Sequence, residues 1–96
     1  MKPSDALNSH RAAIRRIVEA HRTANPRVFG SVLRGHDTDT SDLDILVDPT
    51  PETTLFDLAA IRLELGKLLG VPVDVVTPNA LPDRFRAVVL AEAAPV

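Results

Sequence analysis

At 96 residues, with 45% hydrophobic and 25% charged side chains, the chain is long enough for one hydrophobic core and too short for a second lobe. A formal charge of −2 and only three aromatic residues exclude a protein built to neutralise a nucleic-acid backbone or to stack its bases, and the lack of cysteine excludes disulfide staples and thiolate metal sites. No apolar run approaches the roughly 20 residues of a membrane span and the start lacks a signal-peptide core, so a cytoplasmic protein with one domain over residues 1–96 is expected.

Residues 4–22 place Leu7, Ile14, Ile17 and Val18 on one side and Arg11, Arg15, Arg16, Glu19 and Arg22 mostly on the other, which predicts an amphipathic helix. Ser4 is its expected cap and Asn25-Pro26 its expected end, because a residue before proline is pushed out of helical geometry. Residues 27–29 then read as a short strand running into Gly30-Ser31. Residues 32–42, polar apart from Val32 and Leu33, read as one helical turn and a loop.

Residues 43–47 form the next predicted strand. Over residues 54–69 the spacing of Leu55, Leu58, Ile61, Leu65, Leu68 and Leu69 predicts a second helix, capped by Thr54 with Asp57 and closed by Gly70. Gly66 inside it costs about 1 kcal/mol relative to alanine, which close packing against a neighbour would explain. Residues 71–76, β-branched around Asp74, predict a third strand, and residues 82–93 a last helix with proline in its first turn. The order implies an α/β (α+β) fold, a small mixed sheet of about three strands flanked by helices.

The chemistry lies in Gly30-Ser31-Val32-Leu33-Arg34-Gly35 and in Ser41-Asp42-Leu43-Asp44-Ile45-Leu46-Val47-Asp48. Side chains alternate along a strand, so Asp42 and Asp44 project together, and two such charges repel unless a cation sits between them. A hard divalent ion bound by oxygens, Mg²⁺ above all, is the natural partner. Asp74 sits among valines, where an unpaired buried carboxylate would be costly, and it converges on the pair if its strand lies beside residues 43–47. Two-metal phosphoryl or nucleotidyl transfer uses such a triad, with the third acid able to take the acceptor's proton. At Gly30-Ser31, glycine allows close backbone approach and the amides of the following turn can meet a triphosphate. Arg34, one turn on, is within reach of the phosphates or of Asp42.

Gly-Ser, ten intervening residues, Asp-x-Asp and a later strand aspartate resemble the signature of the DNA polymerase β-type nucleotidyltransferase superfamily. The fuller form, Gly-Ser-x-x-Arg-Gly with Ser-Asp-Leu-Asp-Ile-Leu-Val, is similar to its minimal nucleotidyltransferase (MNT) branch, and the likeness covers essentially the whole chain. The resemblance implies an enzyme using ATP and two Mg²⁺ ions. Gly30, Ser31 and Arg34 would then hold the triphosphate, Asp42 and Asp44 the metals, and Asp74 one metal and the base role. It further implies an antitoxin paired with a HEPN-domain ribonuclease toxin and adenylylating a toxin tyrosine. The alternative from a different class is an antitoxin that neutralises by binding alone, its apolar residues 87–96 docking the partner. Larger relatives carry an acceptor-holding domain, so in so short a chain the acceptor is expected on a partner or a second copy.

Plainer readings compete at several positions. Loop aspartates are usually solvated, which is the expectation for Asp37 and Asp39. A calcium loop starting at Asp37 fails, because Asp42 falls where glycine is required. Asp48 before Pro49 reads as a strand-end residue. His10, His21 and His36 are scattered and form no ligand set, and Arg11, Arg15, Arg16 and Arg22 read as a solvated helix face.

Overall fold

A computed structural model describes all of residues 1–96. In chain order the elements are α1 (Pro3–Ser9), α2 (Arg11–Ala20), β1 (Thr23–Phe29), β2 (Leu43–Pro49), α3 (Leu55–Leu69), β3 (Val73–Val76), a 3-10 turn (Pro78–Ala80), α4 (Asp83–Glu92) and β4 (Ala94–Pro95). The strands form one mixed sheet in the order β3-β2-β1-β4, with β2 and β3 parallel and the other pairs antiparallel. Parallel neighbours need a crossover, and α3 supplies it. The mixed sheet flanked by helices is the expected architecture, with one more strand than expected.

The predicted first helix is two helices. The chain turns at His10 (φ −133°, ψ 23°), whose ring bonds the carbonyl of Ala6, and α1 starts at Pro3 rather than being capped by Ser4. Asn25-Pro26 does not end the helix either. It lies inside β1, where Asn25 adopts φ 53° and the register with β2 slips between Ala24 and Arg27. A bulge of this kind accommodates a proline that regular pairing would reject. The helical path closes earlier, where the Thr23 hydroxyl donates to the carbonyl of Val18.

α3 has the expected ends: Thr54 and Asp57 form a reciprocal capping box, and Gly70 caps with φ 69°. A Cβ on Gly66 would meet only the Val71 carbonyl at 3.9 Å, so close packing within the chain does not explain that glycine. Ile61, Leu65 and Leu69 are buried as expected, whereas Leu55 is 82% exposed.

The helices α1, α2 and α3 pack together on one face of the sheet. Period two along β2 sends Leu43, Ile45 and Val47 into this core, where they are fully buried with Ile14, Val18, Ile61 and Leu65. Leu46 is buried on the opposite face, at the level where the 3-10 turn packs, and the rest of that face carries the acids.

β4 pairs with β1 at Arg27 and Val28, and the Val96 amide donates to the carbonyl of Pro26. Arg11 and Arg15 reach the carbonyl oxygens of Pro95 and Val96, so these two arginines are not merely solvated. Residues 94–96, the end of the stretch expected to dock a partner, are thus committed to the fold, and Val96 is in the core. No helix is long and apolar enough to cross a membrane.

Candidate active site

β2 runs between β1 and β3, and the register fixes what shares its open face. Asp44 pairs with Phe29 on one side and with Asp74 on the other. Neighbouring strands lie about 4.8 Å apart, so Asp44 and Asp74 stand side by side. Asp42, two residues before Asp44, projects from the same face just ahead of the strand, whose first amide, that of Leu43, is tied to the Pro72 carbonyl at 2.9 Å. The three predicted acids are therefore brought together. Phe29 and Arg27 share this face, and sequence reasoning missed both, because only the β1–β2 register assigns their side.

Burial and charge act on the cluster together. Asp44 is half-buried, and its carboxyl is pushed up to about 6, first by desolvation and then by the neighbouring charges of Asp74 and Asp42. None of the three takes part in an ion pair. Asp74 corrects the sequence argument. It is exposed, because β3 is an edge strand with an open face, so the desolvation cost falls on Asp44 instead.

Gly30 adopts φ +76°, and a Cβ there would stand 2.3 Å from Oδ2 of Asp44. The Asp44 carboxylate thus occupies the space that any other residue at position 30 would fill. After Gly30 comes the expected single helical turn, with Arg34 N–H donating to the Gly30 carbonyl at 3.2 Å. His36 N–H closes it on Ser31 at 2.9 Å and Gly35 N–H on Val32 at 3.2 Å, the paired bonds of a Schellman cap around Gly35 at φ +73°. The N–H groups of Ser31, Val32 and Leu33 have no backbone acceptor. Unpaired amides at the start of a helical turn suit an anion.

Other predicted residues fall elsewhere. Arg34 pairs with Glu92 at 3.6 Å rather than with Asp42, both ends being more than half exposed. Asp37 is not solvated: it is buried and accepts from the Ser4 amide at the start of α1, which holds its carboxyl below the usual range. Asp48 makes an ion pair with Arg27 at 2.5 Å and a hydrogen bond with Asn25, so it braces β1 against β2. A cleft of about 200 Å³ between α1, the Gly30 turn and β4 includes Leu7, Val28 and Val32 but none of the acids, whose site is an open face.

The donor set fits a hard divalent cation: three carboxylates on one face, none neutralised by a basic side chain, one held so poorly as an anion that its carboxyl titrates near 6. In the conformation seen they do not close around one point as a finished three-ligand group.

Residues 10–96 match the nucleotidyltransferase domain family. The chain belongs to the nucleotidyltransferase family. It is 34% identical over 90 residues to a Methanocaldococcus jannaschii protein provisionally named protein adenylyltransferase MJ0435, covering 94% of this chain and 97% of that one. A solved structure provisionally described as a minimal nucleotidyltransferase superposes with TM-score 0.87 at 42% identity, over 97% of this chain and 95% of the other. A toxin-antitoxin crystal structure with AMP-PNP shares the fold, with TM-score 0.71 at 16% identity, over 97% of this chain and 71% of that one. The expected minimal nucleotidyltransferase assignment, and with it an enzyme, therefore holds.

Proposed function

We propose that this nucleotidyltransferase moves AMP from ATP to a hydroxyl, a tyrosine, of a HEPN-domain ribonuclease toxin, acting as its antitoxin in the cytoplasm. The observation that carries the reading is the convergence of Asp42, Asp44 and Asp74 beside the Gly30-Ser31 turn, with no basic side chain to neutralise them. Support for the acceptor class comes from the relative named protein adenylyltransferase, and support for a toxin partner and an adenine nucleotide comes from the toxin-antitoxin structure with AMP-PNP.

Asp42, Asp44 and Asp74 would hold Mg²⁺, two ions in all, which when bound neutralises the acids and polarises the triphosphate. The chain's own groups do the rest. The amides that follow Gly30 and the Ser31 hydroxyl donate to the triphosphate, and Arg34, tied only by a surface ion pair, can turn to it at small cost. Asp74, exposed on the edge strand, accepts the proton of the acceptor hydroxyl. The hydroxyl oxygen forms its bond to the α-phosphorus in line, the bond to the bridging oxygen breaks, and pyrophosphate departs on the Gly30-Ser31 side.

Asp42→Asn and Asp44→Asn should each abolish AMP transfer with an unchanged circular dichroism spectrum. Transfer by either purified variant would overturn the assignment.

A second reading, neutralisation by binding, is favoured by α4, which buries none of its residues and exposes Phe85, Val88 and Leu90. A rescue assay separates the two. If Asp42→Asn still protects cells and still co-purifies with the toxin, binding suffices; if the complex persists without protection, chemistry is required.

A further inference from the structure

α3 carries two apolar faces, and only one is used. A helix advances about 100° per residue, which puts Phe56, Ala59, Leu63 and Gly66 along one seam, about 100–180° around the axis from Ile61 and Leu65 in the core. Phe56 is 88% exposed and Leu63 66%, with Leu55 beside them. The steps along the seam are three, four and three residues, the alternation of a coiled-coil stripe rather than scattered surface leucines. Gly66 belongs to the seam, and nothing inside the chain needs it to be glycine.

We propose that this seam is the contact surface for a second copy of the same chain, with the two α3 helices antiparallel about a twofold axis that crosses the seam midway between Ala59 and Leu63. The order of sizes carries the choice of partner. In that register Phe56 of each copy faces Gly66 of the other, and Ala59 faces Leu63, so each large side chain meets a small one. A twofold contact must be self-complementary in this way, because the same patch serves both sides. Charge agrees at the ends: Lys67, in the last turn, comes beside the second copy's Glu52 and the first turn of its α3, and antiparallel helices set opposite dipole ends together. Arg62 flanks the seam and is long enough to keep its charge in water. The acids stand on the other face of the sheet, so both candidate sites stay open in the pair.

A single seam on a helix of about 22 Å falls below the usual area of a stable interface, so a concentration-dependent dimer is expected. Sedimentation velocity of the purified chain from about 5 to about 500 μM should show the mass doubling over that range. Leu63→Glu should remain monomeric throughout with an unchanged circular dichroism spectrum, and Phe56→Ser should do the same. Gly66→Ala should raise the thermal midpoint of the monomer yet weaken association about tenfold, because its methyl meets the opposing Phe56. A wild-type chain that stays monomeric would overturn the proposal, and so would a dimer that survives Leu63→Glu. Protection of Leu63 from hydrogen exchange only on addition of a different protein would also overturn it and assign the seam to that protein.

Discussion

Two effects meet at Asp44, partial burial and two like-charged neighbours, and burial is the larger. With its carboxyl near 6 in the folded chain against 3.8 for the free group, the folded state holds the proton more tightly than the unfolded state between those values. Stability therefore falls as pH rises through that window, and the penalty is complete above it. In a chelated buffer, Asp44→Asn should melt higher than wild type at pH 7.5, and the difference should shrink towards zero near pH 4; thermal melts across pH check it. Under the proposed role the same substitution abolishes transfer, so activity and stability would pull apart at this residue. Gly30→Ala should cost about 1–3 kcal/mol in urea unfolding, because the backbone is left-handed and the new methyl meets Asp44. Part of that loss should return in an Asp44→Ala background, where the opposing carboxylate is gone. Asp42 and Asp44 were legible because strand parity is local. The role of Gly30 was half legible: a turn glycine can be read from sequence, but its contact with a carboxylate fourteen residues on cannot.

At the scale of elements, β2 is held from one side by Leu43, Ile45 and Val47, all fully buried. Ile45→Ala should cost about 2–5 kcal/mol, read by denaturant titration, since a cavity would open at the centre of the sheet. Thr54→Ala should cost about 1 kcal/mol by losing the hydrogen bond to the Asp57 amide. The cap of α3 was readable because Thr54, Asp57 and Gly70 act within a few residues of one another. The break at His10 was not, because no glycine or proline marks it. Leu55 fitted the core periodicity of α3, yet at the first position of the helix it is exposed, while Leu58 of the same turn packs against the core.

At the scale of the molecule, what could not be read is what depends on register between distant segments. The mixed sheet was expected, but that Asp74 would stand level with Asp44 depends on the parallel alignment of β2 with β3. Asp74 drew attention as an acid among valines, and it is in fact solvated at a sheet edge. β4 escaped because two residues show no period, though Val96 completes the core behind it. Removing residues 94–96 should lower the thermal midpoint by several degrees, through the loss of Val96 and of the carbonyls that Arg11 and Arg15 hold. The most direct test of the acidic face as a nucleotidyl-transfer site is to incubate the protein and the proposed toxin partner with Mg²⁺ and ATP labelled at either the α- or the γ-phosphate, and to follow the label onto protein by mass spectrometry. AMP on a toxin tyrosine from α-labelled ATP alone, absent with Asp44→Asn, is the predicted result; transfer of the γ-label, or α-label transfer undiminished by Asp44→Asn, would contradict it.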